Sequence, residues 1–240
     1  LSLWYQNNVQ HQLQPATCRC YLLSINQIKQ NCHNIHVKDI EEEYLQNIIV
    51  KLAQKGYAKS TVGKVKIVMN NAMLYATRVK WIKSLPMMKL YIPKICPSTI
   101  VDALTKEEQQ RVEELCKKPE TKYGHVTLFL LRTGLRADEL YNLKWSDFYN
   151  SDKHSYIEIR KSKTKNGIRK VPLSSEALQI IEGRPRVNEY IFTTENGCQL
   201  SYTQMKRHNQ YIRETLGLEH FHNHICRHSF ATRAVEKNMD

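Results

Sequence analysis

The sequence predicts a mainly α-helical protein with a small antiparallel β-sheet, divided into two domains of unlike composition. Three observations carry that prediction. Apolar residues recur at helical spacing through most of Leu1–Leu90, two prolines break the chain at Pro93 and Pro97, and one alternating run leads into Asn166-Gly167, the strongest short hairpin signal. With 240 residues and 28.2 kDa, each half is long enough to bury a core.

The first half reads as a bundle of four or five helices. One opens at Asp39-Ile-Glu-Glu-Glu-Tyr, where acids in the first turn meet the positive end of the helix dipole. Gly56 then interrupts the chain, and Ser60 or Thr61 is the expected cap of the next helix. Along that helix Val65, Val68, Ala72 and Tyr75 share the core-facing side, leaving Lys59, Lys66, Asn70 and Arg78 largely elsewhere on its surface. Proline biases its predecessor away from helix, so a linker is placed at 91–103, between a helical domain at 1–90 and a second domain at 104–240.

The second domain restarts with a capping box, Thr105 to Glu108. Gly124–Arg132 and Ala137–Leu143 are helix candidates separated at Thr133-Gly134. Ser155–Lys161 alternates as a strand, and the hairpin returns towards Val171-Pro172-Leu173. Helices are expected over Ser175–Glu182, Tyr202–Leu216 and Asn223–Glu236.

Composition limits the function. The 41% hydrophobic and 25% charged content is that of a globular protein, which argues against wholesale disorder. Apolar runs such as Val126–Leu131 fall far short of the roughly 20 residues needed to span a bilayer, so no membrane role is expected. Seven scattered cysteines, an odd number, fit a reducing interior better than a disulfide framework. Leu1–Gln10 has no basic n-region, so no signal peptide is expected, and both ends read as cut from a longer protein. Thirty-six Lys+Arg against 23 Asp+Glu give a net charge of +13, pointing to a polyanionic partner. The excess is concentrated: residues 51–100 hold ten basic side chains and no acidic one, whereas 101–240 carry 23 bases against 19 acids. A nucleic-acid footprint fits that run better than an ordinary solvated surface. Lys59, Lys64, Lys66 and Arg78 are its expected phosphate contacts.

Three motifs carry chemistry. Arg136 and Glu139 stand three apart after Thr133-Gly134-Leu135, on one helical face, where the bland alternative is a surface ion pair. His224 and Arg227 repeat that spacing, and a lone histidine is more often structural than catalytic. Lys163 on the hairpin is, by itself, an exposed strand lysine. Cys18-x-Cys20 with Cys32-His33 matches no standard zinc spacing, so the thiols are read as packed in the bundle, and neither metal nor cofactor is expected.

Taken in order, the motifs resemble the tyrosine recombinases, the phage integrase family: Thr-Gly-Leu-Arg-x-x-Glu-Leu, a hairpin lysine before Val-Pro-Leu, then His-x-x-Arg-His-Ser-Phe-Ala-Thr. Trp145 and Asp147 also resemble that pattern. Trp4, Pro15-Ala-Thr, Gly56–Val62 and Tyr75–Lys80 look more loosely like the family's core-binding domain. The resemblance covers nearly the whole chain and is most similar to integrases of phages and integrative conjugative elements.

It implies a helical core-binding domain followed by an α/β tyrosine-recombinase catalytic domain, in an enzyme that cuts and rejoins DNA through a 3′-phosphotyrosyl intermediate. Arg136 and Arg227 would clamp the non-bridging phosphate oxygens, their planar forks matching phosphate geometry. Lys163 would be the general acid towards the leaving 5′-oxygen, and His224 an acid/base or phosphate donor. Glu139 would buttress Arg136 or His224, and His228 would pack beneath the site. The implied partners are double-stranded DNA at attachment or crossover sites and further copies of the chain, as a tetramer on DNA in a bacterial cytoplasm. In the family a Leu-Gly-His or Gly-Trp segment and then the nucleophilic tyrosine follow His-x-x-Arg. Neither is found in the 13 residues after Arg227, and none of the 13 tyrosines stands in the nucleophile's place, so this chain is expected to bind DNA without cutting it. A catalytically inactive DNA-binding relative and a type IB topoisomerase, which shares this active-site logic, are the alternatives.

Overall fold

A computed structural model describes residues 1–84, 89–98, 103–151, 154–160 and 167–237. The chain falls into two compact units, Leu1–Ile100 and Val101–Asp240. The fold is mainly helical with one small antiparallel sheet, the class the sequence predicts.

In the first unit, α1 (Ser2–Trp4) runs into a wide turn over Tyr5–Val9. Pro15 opens α2 (Pro15–Asn31) at a position where its missing N–H leaves no bond unmade. A short turn at Val37–Asp39 precedes α3 (Glu42–Gln54), so Glu42 and Glu43, rather than Asp39, supply the acids of its first turn. The next helix, α4 (Lys59–Arg78), buries Val62, Val65, Val68, Met69, Met73 and Ala76, while Ala72 and Tyr75 lie half-buried beside that stripe. Its cap differs from the expectation. Ala58 is the N-cap, and Ser60 and Thr61 lie inside the first turn. A tertiary acceptor replaces the side-chain oxygen, since the Lys59 N–H donates to the Pro97 carbonyl at 2.9 Å.

The described part of the expected linker is fastened to this unit. Gln46 donates to the Tyr91 carbonyl at 3.1 Å and accepts from its N–H at 3.0 Å, and Lys66 donates to the Leu90 carbonyl. Leu90 and Cys96 are buried in the same core.

The second unit begins with α5 (Lys106–Lys117), whose capping box has both halves in place: Glu108 N–H to Thr105 Oγ1 at 3.1 Å and Thr105 N–H to Glu108 Oε2 at 2.9 Å. It is followed by α6 (Gly124–Thr133) and the short α7 (Ala137–Tyr141). Three antiparallel strands follow in the order β1 (Phe148–Asn150), β2 (Ser155–Ile159) and β3 (Arg169–Pro172). β1 has no counterpart in the sequence reading; its Tyr149 stacks on Tyr156 across the ladder. Ile157 opposes Val171 and Ile159 opposes Arg169. Asn166 of the hairpin signal lies outside the described residues. The unit closes with α8 (Ser175–Glu182), α9 (Tyr202–Leu216) and α10 (Asn223–Glu236), with the bounds the periodicity predicts. Among the described residues no helix is long and apolar enough to cross a membrane.

The core of this unit joins Phe129, Leu130, Leu140, Ile157, Ile181, Phe192, Met205, Phe221 and Ile225. Two features of it position the later motifs. Gly134 ends α6 in the left-handed region at φ 60°, its N–H donating to the Leu130 carbonyl, and its Cα lies against the Phe230 ring of α10. Ser229 bridges the chain's entry to α10, accepting from the Leu104 N–H and donating to the Ile225 carbonyl, each at 2.9 Å.

Two predictions follow from this packing. Gly134→Ala combines a left-handed alanine with a methyl driven into Phe230, and should cost about 2–4 kcal/mol, read as a lowered melting temperature of this unit. An unchanged melt would mean that α6 and α10 are not locked there. The second concerns His208, which is buried against Thr127 Oγ1 at 2.9 Å and is lowered by burial from 6.5 to about 4. Between those values the unfolded chain binds the proton and the folded chain does not, so stability falls as pH drops through that window, by at most about 3 kcal/mol. His208→Gln should flatten part of that loss in urea titrations at successive pH values; parallel losses in both proteins would refute it.

Candidate active site

The site is built where α7, β3 and α10 meet. Arg136 caps α7 in extended backbone, and Glu139, three residues on, reaches back to accept from the Arg136 N–H at 3.0 Å, half of a capping box. The same carboxylate accepts from Arg136 Nη1 at 2.7 Å. Arg169, at the start of β3, closes on it from the other side, Nη1 to Oε1 at 3.1 Å and Nη2 to Oε2 at 2.9 Å. Burial alone would raise the Glu139 pKa, but the bonds from Arg169 and Arg136 override it and hold it at about 2. Glu139 is therefore ionised at any working pH. It braces Arg136 and Arg169; no bond links it to His224 among the described residues.

The His224–Arg227 string arrives on the first turns of α10. Arg227 Nη1 donates to the Gly134 carbonyl, two residues before Arg136, so the two arginine motifs share one neighbourhood. Burial and the repulsion of Arg136 and Arg169 lower the Arg227 pKa. An arginine nonetheless stays charged. Among the described residues, Arg136, Arg169 and Arg227 cluster at Glu139, whose carboxylate pairs with the first two, so the cluster carries a surplus of positive charge that favours an anion. His224 is exposed and is lowered from 6.5 by partial burial and then by the nearby charges of His228, His222, Arg227 and Arg136, which favours its neutral form at neutral pH. His228 packs edge-on against it, ring centroids 4.7 Å apart.

α7 is fixed at its far end as well. Asn223, the first residue of α10, donates to the buried Tyr141 hydroxyl at 2.6 Å. This bond sets the start of α10, and with it His224, beside Arg136. Both side chains line a cleft of about 480 Å³ with Tyr202, Lys206, Asn209 and Asn223; Asp138 is its one carboxylate among the described residues. A similarly sized cavity of about 450 Å³ in the first unit is lined chiefly by carbon, including Trp4, Ile48, Met69 and Met73, and gathers no comparable cluster of charge.

Arg136, Glu139, His224, Arg227 and His228 are thus brought together. Lys163 lies outside the described residues. The four basic residues of α4 do not form one stripe. Lys59 and Lys66 flank one edge of the buried face, and Lys66 is tied to Leu90; Lys64 and Arg78 lie on the solvent side, where Arg78 donates to Asn8 at 2.7 Å and stacks over Tyr75. Arg169 is the site residue that the sequence reading missed. Its signal was strand alternation: Val171 points inward, so Arg169 two residues earlier does too, and an inward arginine needs a carboxylate.

Comparison with known proteins bears on the family and the fold. The sequence pattern of the phage integrase family matches residues 102–240. A tyrosine recombinase XerC-like protein of Caldanaerobacter subterraneus subsp. tengcongensis is 26% identical over 259 aligned positions, covering 89% of this chain. The chain spans only 65% of that relative's length. The tyrosine recombinase XerC of Pelotomaculum thermopropionicum is 28% identical, covering 87% of this chain and 72% of its own. Among solved structures, the Tn1549 transposon integrase in complex with circular intermediate DNA superposes with a TM-score of 0.82 at 16% identity, over 99% of this chain and 87% of that one. A lambda integrase tetramer bound to a Holliday junction gives 0.76 at 16% identity, over 100% and 70%. At such identities the likeness is one of fold. With more than half of its length matched by the family's own pattern, the chain belongs to the phage integrase family, the tyrosine recombinases.

Proposed function

We propose that this chain is the DNA-binding and phosphate-holding core of a site-specific recombinase that integrates or excises a mobile element through a 3′-phosphotyrosyl intermediate. One observation carries the reading: Arg136, Arg169 and Arg227 gather around one carboxylate, beside a cleft that also takes His224. Phosphoryl transfer between DNA strands needs this arrangement, because charge on the five-coordinate phosphate must meet preorganised donors. Arg136 and Arg227 clamp the non-bridging oxygens. Neutral His224 holds or moves a proton at the phosphate, with His228 packed against its ring. Glu139 holds Arg136 in place. Lys163 is assigned as the general acid on the resemblance alone.

The nucleophilic tyrosine is assigned to sequence outside these 240 residues. Tyr141 is buried beneath α10, and Tyr202 and Tyr211 are exposed on α9. The chain by itself then binds double-stranded DNA at attachment or crossover sites without cutting it. Assembly as a tetramer on DNA is proposed from the lambda integrase tetramer, with a bacterial cytoplasm as its setting.

Two measurements test this. On nicked duplexes, the intact protein carrying this chain should form covalent protein–DNA adducts, and Arg136→Ala should abolish them. Adducts that persist would show the cradle misassigned, and DNA binding without adducts in the unaltered protein would mark a binding-only relative. The 240-residue chain should lose affinity by about two orders of magnitude or more between roughly 50 and 200 mM salt. Joint substitution of the exposed Lys59 and Lys64 should weaken all DNA sequences about equally, since phosphate contacts do not read bases; Lys66, held on the Leu90 carbonyl, is withdrawn from that role, and a change confined to sequence preference would refute the assignment of the other two.

A further inference from the structure

We propose that Arg169 is a positioning residue that sets the Arg136 guanidinium through Glu139, making the start of β3 a mechanical part of the phosphate cradle. The inference rests on the recombinase reading for its consequence in catalysis, but the coupling itself stands on the geometry.

The two Glu139 oxygens are fully used. Oε1 accepts from Arg136 Nη1 and Arg169 Nη1, at 2.7 and 3.1 Å, and Oε2 from the Arg136 N–H and Arg169 Nη2, at 3.0 and 2.9 Å. The Glu139 side chain is only 5% exposed, so these four bonds from the protein are its principal partners among the described residues. Arg169 Nη1 also donates to the Gly167 carbonyl at 2.8 Å, which ties the turn entering β3 to the same carboxylate. With Nη1 and Nη2 both occupied inside the protein, Arg169 is braced as a strut. Arg136 differs: among the described residues Glu139 takes its Nη1, while its Nε and Nη2 make no bond and its side chain is 37% exposed.

The charge arithmetic explains why a second arginine is needed there. A buried carboxylate paired with Arg136 alone would neutralise that guanidinium and compete with any phosphate for its donors. Arg169 divides the negative charge between two cations, so Arg136 is oriented and still attracts an anion. Among the described residues, the ionisable groups facing Glu139 are Arg136 on its own element, Arg169 on β3 and Arg227 on α10. Removing Arg169 leaves the carboxylate to Arg136, with Arg227 as the remaining positive neighbour.

The test has two arms, with R169Q, R169K, E139Q and the R169Q/E139Q pair. In the 240-residue chain, the Glu139 carboxylate is followed by ¹³C NMR from neutral pH down to about pH 4, where the unaltered protein should stay ionised. In R169Q it should begin to take up a proton within that window, where the unaltered protein does not, and R169K should restore part of the difference. In the intact protein, R169Q should slow adduct formation on nicked duplexes by about tenfold to a hundredfold, with DNA affinity within about twofold. In the E139Q background the R169Q change should lose most of that effect, because both act through one contact. An unmoved titration, additive effects in the pair, or weakened DNA binding at an unchanged rate would each overturn the proposal, the last by making Arg169 a DNA ligand. If R169Q does not fold, R169K against E139Q decides, since a lysine keeps the charge without the two-pronged grip. Absence of adducts in the unaltered intact protein would instead refute the recombinase reading and leave the carboxylate titration to judge the coupling.

Discussion

One carboxylate organises this site. Glu139 is buried among guanidinium groups that would otherwise repel one another, and its two oxygens hold Arg136 and Arg169 in fixed relation. Because Arg227 adds a third positive charge nearby, the cluster is stable only while its positions are enforced from outside. The rest of the second unit supplies that enforcement. Gly134 against Phe230 locks α6 to α10, Tyr141 with Asn223 joins α7 to α10, and the β2–β3 ladder brings Arg169 inward. The core thus works against electrostatics at one spot, and the surplus of positive charge there is the property that an oxyanion would relieve.

Much of this was legible from the residues alone. The capping box at Thr105–Glu108 and the bounds of α8, α9 and α10 follow from local rules, because cap chemistry and apolar period act within a few residues. What escaped was set by contacts distant in sequence. Ser60 or Thr61 was a reasonable cap for α4 until the Pro97 carbonyl, 38 positions beyond Lys59, took the N–H instead. Lys66 reads as a free surface cation, yet it is spent on the Leu90 carbonyl.

The site divides in the same way. Arg136, Glu139, His224 and Arg227 stood out because two i, i+3 pairs fall in a recognisable order. Their convergence, however, depends on Arg227 meeting the Gly134 carbonyl across 93 positions of sequence. Arg169 lay in plain view within Ile-Arg-Lys-Val-Pro-Leu, but it had no local partner to mark it; its carboxylate is 30 residues earlier. Reading strand parity as a rule about charge, and not only about apolar residues, would have found it.

The joint between Tyr141 and Asn223 has a consequence for how the site answers to salt. Burial pushes the Tyr141 hydroxyl up to about 12, so neither partner carries a charge under ordinary conditions. Ionic strength, which strips a polyanion from a basic surface by returning its counterions, has little purchase on a buried bond between two neutral groups. If the chain holds DNA as proposed, the scaffold beneath His224 would therefore keep its shape on release, and the site would meet another duplex without rebuilding itself.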